Sequence, residues 1–533
     1  MADQPKCVYT AVTFAPVQGF IEKSRKLRDL YGASVLLSYM SKKIIDAVCE
    51  MELDVISPGT HNIKQGTPNR ILIKGNFPEN QAREVFLSSW KEVIYHCEKW
   101  LSENLRHLGP YHWEREWNNW ANHSWEIFWS QGDSPTSVMR ELETNKLARD
   151  WIGINWIGES SSLTGADGIA FPGLGGNKRN PANIDYRKEK EEIERFYTEL
   201  AKITENTKQE EVEGKFIDPR EKLSIPELTK RLVTYPDVGK RFQLFPLPEG
   251  FQEIQRKPDP QTGSPGQWTG WFMGDGDKVG DHLQKIAVNE GDVGLKNFST
   301  EMQKWGENFS SHFQKGIPGI NGRIVYAGGD DFLGVIYSNN PREPISPLAA
   351  YEWLITLNHR WQEHKQPITL SVGFVWVAGS VPQRDVLQHC REAQKLAKSS
   401  GRNRVAIRVL FNSGQYVQWT CPWDYLYVLK KYRDRDGKTY AEWESNGRDS
   451  KFEPNWNHVY NDLMQLRFRN AINLSKQSSS GLIMALALFD IYFNTKRDLV
   501  NNVKAITGKT NADAMTSWII DLINVGWQLC TNI

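Results

Sequence analysis

The residues best suited to chemistry lie in the run Arg323–Ile336, RIVYAGGDDFLGVI. It reads as two short apolar strands joined by a tight turn. Gly328 and Gly329 make the turn, and Asp330 and Asp331 leave it. Adjacent carboxylates pack poorly but suit a divalent cation held against phosphate. A second acidic point lies in Met273–Gly280, MGDGDKVG, where Asp275 and Asp277 flank Gly276 and Lys278 follows. A basic point lies in Ala397–Arg404, AKSSGRNR. If the strands bearing Asp275 and Asp330 are neighbours, their carboxylates can share two magnesium or manganese ions, hard cations that favour carboxylate and phosphate oxygens. Asp277 or Asp331 would complete the set. One ion would lower the pKa of an attacking ribose hydroxyl, and the other would stabilise departing pyrophosphate. Gly274, Gly276, Gly328 and Gly329 would let backbone approach a triphosphate. Lys398 or Arg402 would neutralise its outer phosphates. Each motif alone also reads as a hairpin turn, an acidic loop or a solvated helix end. Their conjunction in one domain points to nucleotidyl transfer.

The elements that must position these residues can be read over 268–412. Trp268–Gly274 is strand-like, and helical segments follow at 279–289 and 295–313. Two strands flank the Gly328-Gly329 turn. A helix at 346–363, an apolar strand at Ile368–Val377, a helix at Pro382–Lys398 and a strand at Arg404–Leu410 complete the order. This pattern predicts an α+β domain of the ferredoxin-like palm type, with antiparallel central strands and helices on one face.

Upstream, Cys7–Phe14 reads as a strand, a helix starts near Val17, and another covers 34–50. Pro68-Asn69-Arg70 leads into a strand, and 78–108 is helical. A further helical region is expected over Trp113–Trp129. Basic residues do not interleave densely with its tryptophans 113, 117, 120, 125 and 129, which favours packing over base stacking. Residues 1–110 therefore read as a ferredoxin-like or other α/β domain, with later strands from 185–250 allowed. Residues 111–250 read as a helical, loop-rich insert, with Gly, Ser, Asn and Pro concentrated at 158–182. A breaker-rich loop at Pro248–Gln267 precedes the palm, and 413–533 is mainly helical, a C-terminal bundle.

The 533 residues exceed one ordinary core. A formal charge of +1 neither favours nor excludes a local nucleic-acid surface. Cys7, Cys49, Cys97, Cys390, Cys421 and Cys530 form no close pair, which argues against a disulfide framework and a Cys-x-x-Cys metal knuckle. The start lacks the basic and apolar runs of a secretory signal. The apolar stretch Gly481–Asp490 is too short to span a bilayer. A cytoplasmic protein with no membrane partner is expected.

The palm motifs resemble the nucleotide-cyclase and GGDEF superfamily. More specifically, Phe14–Ile21 (FAPVQGFI), Ser24–Leu30 (SRKLRDL), Pro68-Asn69-Arg70, the tryptophan-rich region, Gly274–Gly280 and Gly328–Asp331 resemble the large subunit of type III CRISPR effector complexes, Cmr branch. The likeness covers most of the chain. It implies two palms, the first degenerate, within a ribonucleoprotein complex of other effector subunits and CRISPR RNA. Target RNA binding would switch on conversion of ATP into cyclic oligoadenylates through 3′-to-5′ linkages. The resemblance implies Asp275 and Asp330 as metal ligands, Asp331 as a supporting carboxylate and Lys398 as a phosphate contact. It also implies that Ser24, Arg25 and Arg28 touch a second ATP, and that the C-terminal region docks small subunits.

Two departures from the family bear on function. The strand at Cys7 leaves no room for the HD nuclease domain of many relatives, so no DNase activity is expected. Residues 221–228, where relatives often carry a cysteine zinc site, hold no cysteine. No structural zinc is expected there, and ordinary packing should take its place. Competing readings are a mixed adenylate product, a stand-alone diguanylate-type cyclase and a silent structural palm.

Overall fold

The computed structural model describes residues 8–59, 62–64, 66–149, 153–175, 181–207, 212–244, 254, 256–259, 263, 266–314, 320–338, 340, 342–472, 479–494, 499, 501–510 and 512–530. Cys7 and Pro248, the expected ends of a strand and a loop, lie outside them. The chain divides into two compact units, Met1–Gln252 with Leu283–Gln303, and Glu253–His282 with Lys304–Ile533.

In the first unit the elements run β1 (Tyr9–Ala15), α1 (Val17–Glu22), α2 (Leu27–Glu50), β2 (Asp54–Ser57), β3 (Ile71–Lys74), α3 (Glu79–Asn104), α4 (Glu114–His123), β4 (Glu126–Gly132), α5 (Pro135–Asn145), α6 (Tyr186–Glu205), α7 (Ile225–Leu232) and α8 (Pro236–Gly239). The sheet order is β2-β3-β1-β4, antiparallel throughout. That is the βαββαβ order of a ferredoxin-like domain. The helix expected over 113–129 stops at His123. Trp129 instead lies on β4 opposite Val12, and seven residues of β4 pair with β1. Strand pairing with β1 overrides a helical spacing of tryptophans. The first sheet therefore extends beyond residue 110, whereas the described residues of 185–244 add helices only. Trp113, Trp117 and Trp125 are buried in the core with Trp90 and Phe14, as packing residues should be.

Helix α7 is buried along its whole length, including Glu227, Lys230 and Arg231. Arg231 forks onto Asp29 at 2.7 and 2.8 Å and reaches Glu221 at 2.6 Å. Lys230 Nζ donates to the Phe20 carbonyl at 2.5 Å and sits 4.2 Å over the Phe20 ring. The helix lies tight on α2: a Cβ at Gly32 would fall 1.9 Å from the Lys230 carbonyl oxygen. Ordinary packing was expected around 221–228. A buried ion-pair network holds this place instead, because a helix with charges on every side can enter a core only with partners for them.

The palm motifs belong to the second unit. Its chain runs β5 (Thr269–Gly276), α9 (Val279–Asn289), α10 (Gly291–Gln314), β6 (Asn321–Ala327), β7 (Asp331–Tyr337), α11 (Pro347–Trp361), β8 (Leu370–Val377), α12 (Gln383–Ser399), β9 (Arg404–Leu410) and β10 (Tyr416–Pro422). Of α9 and α10, residues Leu283–Gln303 belong to the first unit. The helical remainder comprises α13 (Trp423–Leu426), α14 (Tyr440–Ser445), α15 (Asn457–Phe468), α16 (Ser479–Phe493), α17 (Val503–Thr507) and α18 (Ala512–Cys530). The sheet order is β10-β9-β8-β5-β7-β6. Its inner set β8-β5-β7-β6 repeats the order of the first sheet, so the chain carries two palm-like α+β domains. β8 is buried at all eight positions, the continuous apolar pattern of a central strand covered on both faces. Strand β10 goes beyond the sequence expectation. It pairs antiparallel with β9, and it buries Trp419 and Cys421 at alternate positions. Among the described residues no helix is long and apolar enough to cross a membrane.

Candidate active site

Strand register assembles the acidic residues. β5 and β7 are antiparallel neighbours, and Asp275 stands opposite Asp331. On the other side of β5, Ser371 of β8 stands opposite Asp275. Asp330, at the end of the turn between β6 and β7, accepts the Gly276 N–H on its carbonyl at 2.9 Å. Asp275, Asp330 and Asp331 thus meet at one end of the sheet.

Helix α12 brings in the cation. Val386, Cys390, Ala393 and Ala397 bury its inner face. Gly373 on β8 permits the close approach: a Cβ there would lie 2.4 Å from Gln394 N and 2.5 Å from the Cys390 carbonyl oxygen. Lys398, in the last turn, pairs with Asp275 Oδ1. Arg402 follows in an exposed loop with φ 64°, and its charge also acts on Asp275.

Carboxylates outnumber cations here, and the proton affinities show it. Loss of hydration pushes the Asp275 carboxyl above its ordinary range, against the hydrogen bond and charge of Lys398. The Asp331 carboxyl is pushed up to about 7, first by loss of hydration and then by Asp330 and Asp275. The Asp331 side chain still reaches solvent. Water tempers the hydration effect and leaves the neighbouring carboxylates as the firmer cause. Tyr326, which the sequence reading missed, is within electrostatic reach of Asp331, Arg391 and Asp275, and burial raises its phenol. Arg391 precedes Lys398 by seven residues, two helical turns. That spacing is the sequence signal that would have marked it.

Other expected site residues take different places. Asp277 is not positioned as a further free ligand. It is 5% exposed, and its carboxylate accepts from Thr369 Oγ1 at 2.9 Å, Ser371 Oγ at 2.7 Å and the Asn403 N–H at 2.9 Å. Gly274 leaves room for protein, not for nucleotide: a Cβ would fall 2.1 Å from Phe332 Cζ. At Gly276 a Cβ would meet Val279 Cγ2 at 2.9 Å and Asp330 Cβ at 3.1 Å. Lys278 is exposed at a left-handed turn with φ 55°. Gly328 is buried and Gly329 half-buried in the hairpin turn. Ser24, Arg25 and Arg28 lie in the first unit. There Ser24 is buried, Arg25 Nε donates to the Leu163 carbonyl at 3.2 Å, and Arg28 stacks 4.5 Å over the Phe216 ring.

Residues 269–406 match the family model described as Cas10/Cmr2, second palm domain. Residues 9–93 match the model described as CRISPR-associated protein Cmr2, N-terminal. The chain carries Cas10/Cmr2-like palm domains. The match over 269–406 covers β5 to the start of β9, including every residue of the Asp275–Lys398 cluster. No curated protein matches the chain significantly. Among solved structures, the apo Csm1–Csm4 cassette has 12% identity over 98% of this chain and 70% of that chain, with a TM-score of 0.46. T. onnurineus Csm1 has 14% identity over 99% of this chain and 71% of that chain, with a TM-score of 0.47.

Proposed function

We propose that the chain is the large palm subunit of a type III CRISPR effector complex, Cmr branch, and that target RNA binding makes its second palm convert ATP into cyclic oligoadenylates. The observation that carries this reading is the meeting of Asp275, Asp330 and Asp331 at one sheet end with Lys398 paired to Asp275. The palm-family matches support the same class of chemistry.

The carboxylates fit magnesium or manganese. They offer hard oxygen donors, and their mutual crowding, visible in the raised Asp331 carboxyl, calls for a compensating cation. Asp275 and Asp330 would hold the metal, with Asp331 in support. When bound, the ion supplies charge neutralisation of phosphate and a lowered pKa for the attacking hydroxyl. Lys398 would exchange its bond to Asp275 for a phosphate oxygen, and Arg402 would meet the outer phosphates. The ribose 3′-oxygen forms the new bond to the α-phosphorus, the bond to pyrophosphate breaks, and the hydroxyl proton passes to water.

The partners in this reading are other effector subunits, CRISPR RNA and target RNA. The C-terminal helices expose Phe468, Ile483 and Ile491, apolar surface suited to a subunit contact. The test is mass spectrometry of products formed from labelled ATP and magnesium by the assembled complex with target RNA. Cyclic adenylates, absent with Asp330→Ala/Asp331→Ala, support the reading. A mixed adenylate keeps the site but changes the substrate class. No product in the wild type supports a silent palm.

A further inference from the structure

The loop between α12 and β9 presents Arg402 and follows Lys398 directly. Three consecutive residues, Gly401, Arg402 and Asn403, have φ of 126°, 64° and 49°. Two of them are not glycine, so the surroundings must impose this conformation. They do so from two sides. From the sheet side, Asp277 accepts the Asn403 N–H at 2.9 Å while its other bonds tie it to Thr369 and Ser371. From the C-terminal side, Arg404 is the clamp. It is 4% exposed, and its guanidinium donates to the Arg402 carbonyl at 2.9 Å, the Ile506 carbonyl at 3.0 Å and the Ala505 carbonyl at 3.1 Å.

Ala505 and Ile506 lie in the last turn of α17, where carbonyls lack helical partners and a cation is favoured. Gly508 ends this helix with φ 74°, and a Cβ on it would fall 2.1 Å from the Ser400 carbonyl oxygen. The turn after α17 is therefore seated directly on the loop that follows Lys398.

We infer that Arg404 and the α17 turn, Val503–Gly508, are positioning elements for Lys398 and Arg402, so that a helical segment about 100 residues downstream sets the phosphate-facing cations of the palm. The inference rests on the proposed reading of those two side chains as phosphate contacts. Neither Arg404 nor Gly508 touches the nucleotide in this arrangement. Each acts through the left-handed loop.

The test uses Gly508→Ala in the full chain, with Arg404→Lys as a second variant that keeps the buried charge but loses the planar fork. Hydrogen exchange of the segment 399–404 is read in the free protein, and KM and kcat for magnesium–ATP are read in the assembled complex with target RNA. Exchange in 399–404 is expected to rise at least about tenfold as the loop opens locally. KM is expected to rise about tenfold with kcat changed less. Gly508→Ala combined with Lys398→Ala should be no worse than Lys398→Ala alone, because both remove one unit. Unchanged exchange in both variants, or effects on KM that multiply in full, overturns the inference. A normal KM in Lys398→Ala beside raised exchange overturns the phosphate reading, and the positioning role with it, while leaving the α17 contact standing.

Discussion

Asp275 and Asp277 are two residues apart, so spacing alone makes them equivalent ligands. The strand ends at Gly276 and the chain turns at Lys278. Asp277 is thereby carried onto Thr369, Ser371 and Asn403, while Asp275 stays opposite Asp331. That difference is set by residues about 90 and 125 positions away and was not legible locally. Asp331 yields a pH prediction. A carboxyl with its pKa near 7 must lose its proton to bind a cation, so protons compete below that pH. Manganese affinity, followed by electron paramagnetic resonance, should weaken as pH falls from about 8 to about 6, and Asp331→Asn should flatten the dependence. A pH-independent wild-type affinity would contradict the assignment. The same shift affects stability without metal. The folded state holds this proton longer than the unfolded chain, so this contribution is present below the ordinary carboxyl range and is lost as pH rises to about 7.

At the scale of elements, the palm was legible because its strands and helices are locally unambiguous. β8 is a continuous apolar run, and α12 carries Val386, Cys390, Ala393 and Ala397 at helical spacing. β4 and β10 were not legible, since each is defined by its neighbour: β4 by seven pairs with β1, and β10 by its pairing with β9. The glycines of the motif also carried a second meaning. Gly274 was read as an opening for nucleotide, yet the Phe332 ring fills the space of its missing side chain. Gly274→Ala should therefore destabilise the second unit by about 1–3 kcal/mol, the usual cost of overpacking. Urea unfolding followed by tryptophan fluorescence measures this. An unchanged midpoint would show that the ring moves aside freely.

For the molecule as a whole, the repeated βαββαβ order in both units is the feature that the motifs of one palm could only hint at. The first unit depends on the Asp29–Arg231 pair, which links the start of α2 to a wholly buried α7. Burial works against the Arg231 charge, and Asp29 and Glu221 outweigh it. Asp29→Ala should cost about 3–5 kcal/mol because it leaves a buried guanidinium short of its partner, whereas Asp29→Leu/Arg231→Met should cost less. Differential scanning calorimetry of the full chain reads both. Lys230 beside it is pushed down to about 8 by burial. Between that pH and the ordinary lysine value the unfolded chain holds more protons, so stability from this residue rises with pH there.

The most direct measurement is pyrophosphate release from ATP and magnesium by the assembled complex, with and without target RNA. Release by the wild type should depend on target RNA. It should fall more than about 100-fold in Asp330→Ala/Asp331→Ala, the scale of losing electrostatic stabilisation at the reacting phosphate. Equal release by wild type and double variant would place the chemistry elsewhere and contradict the account.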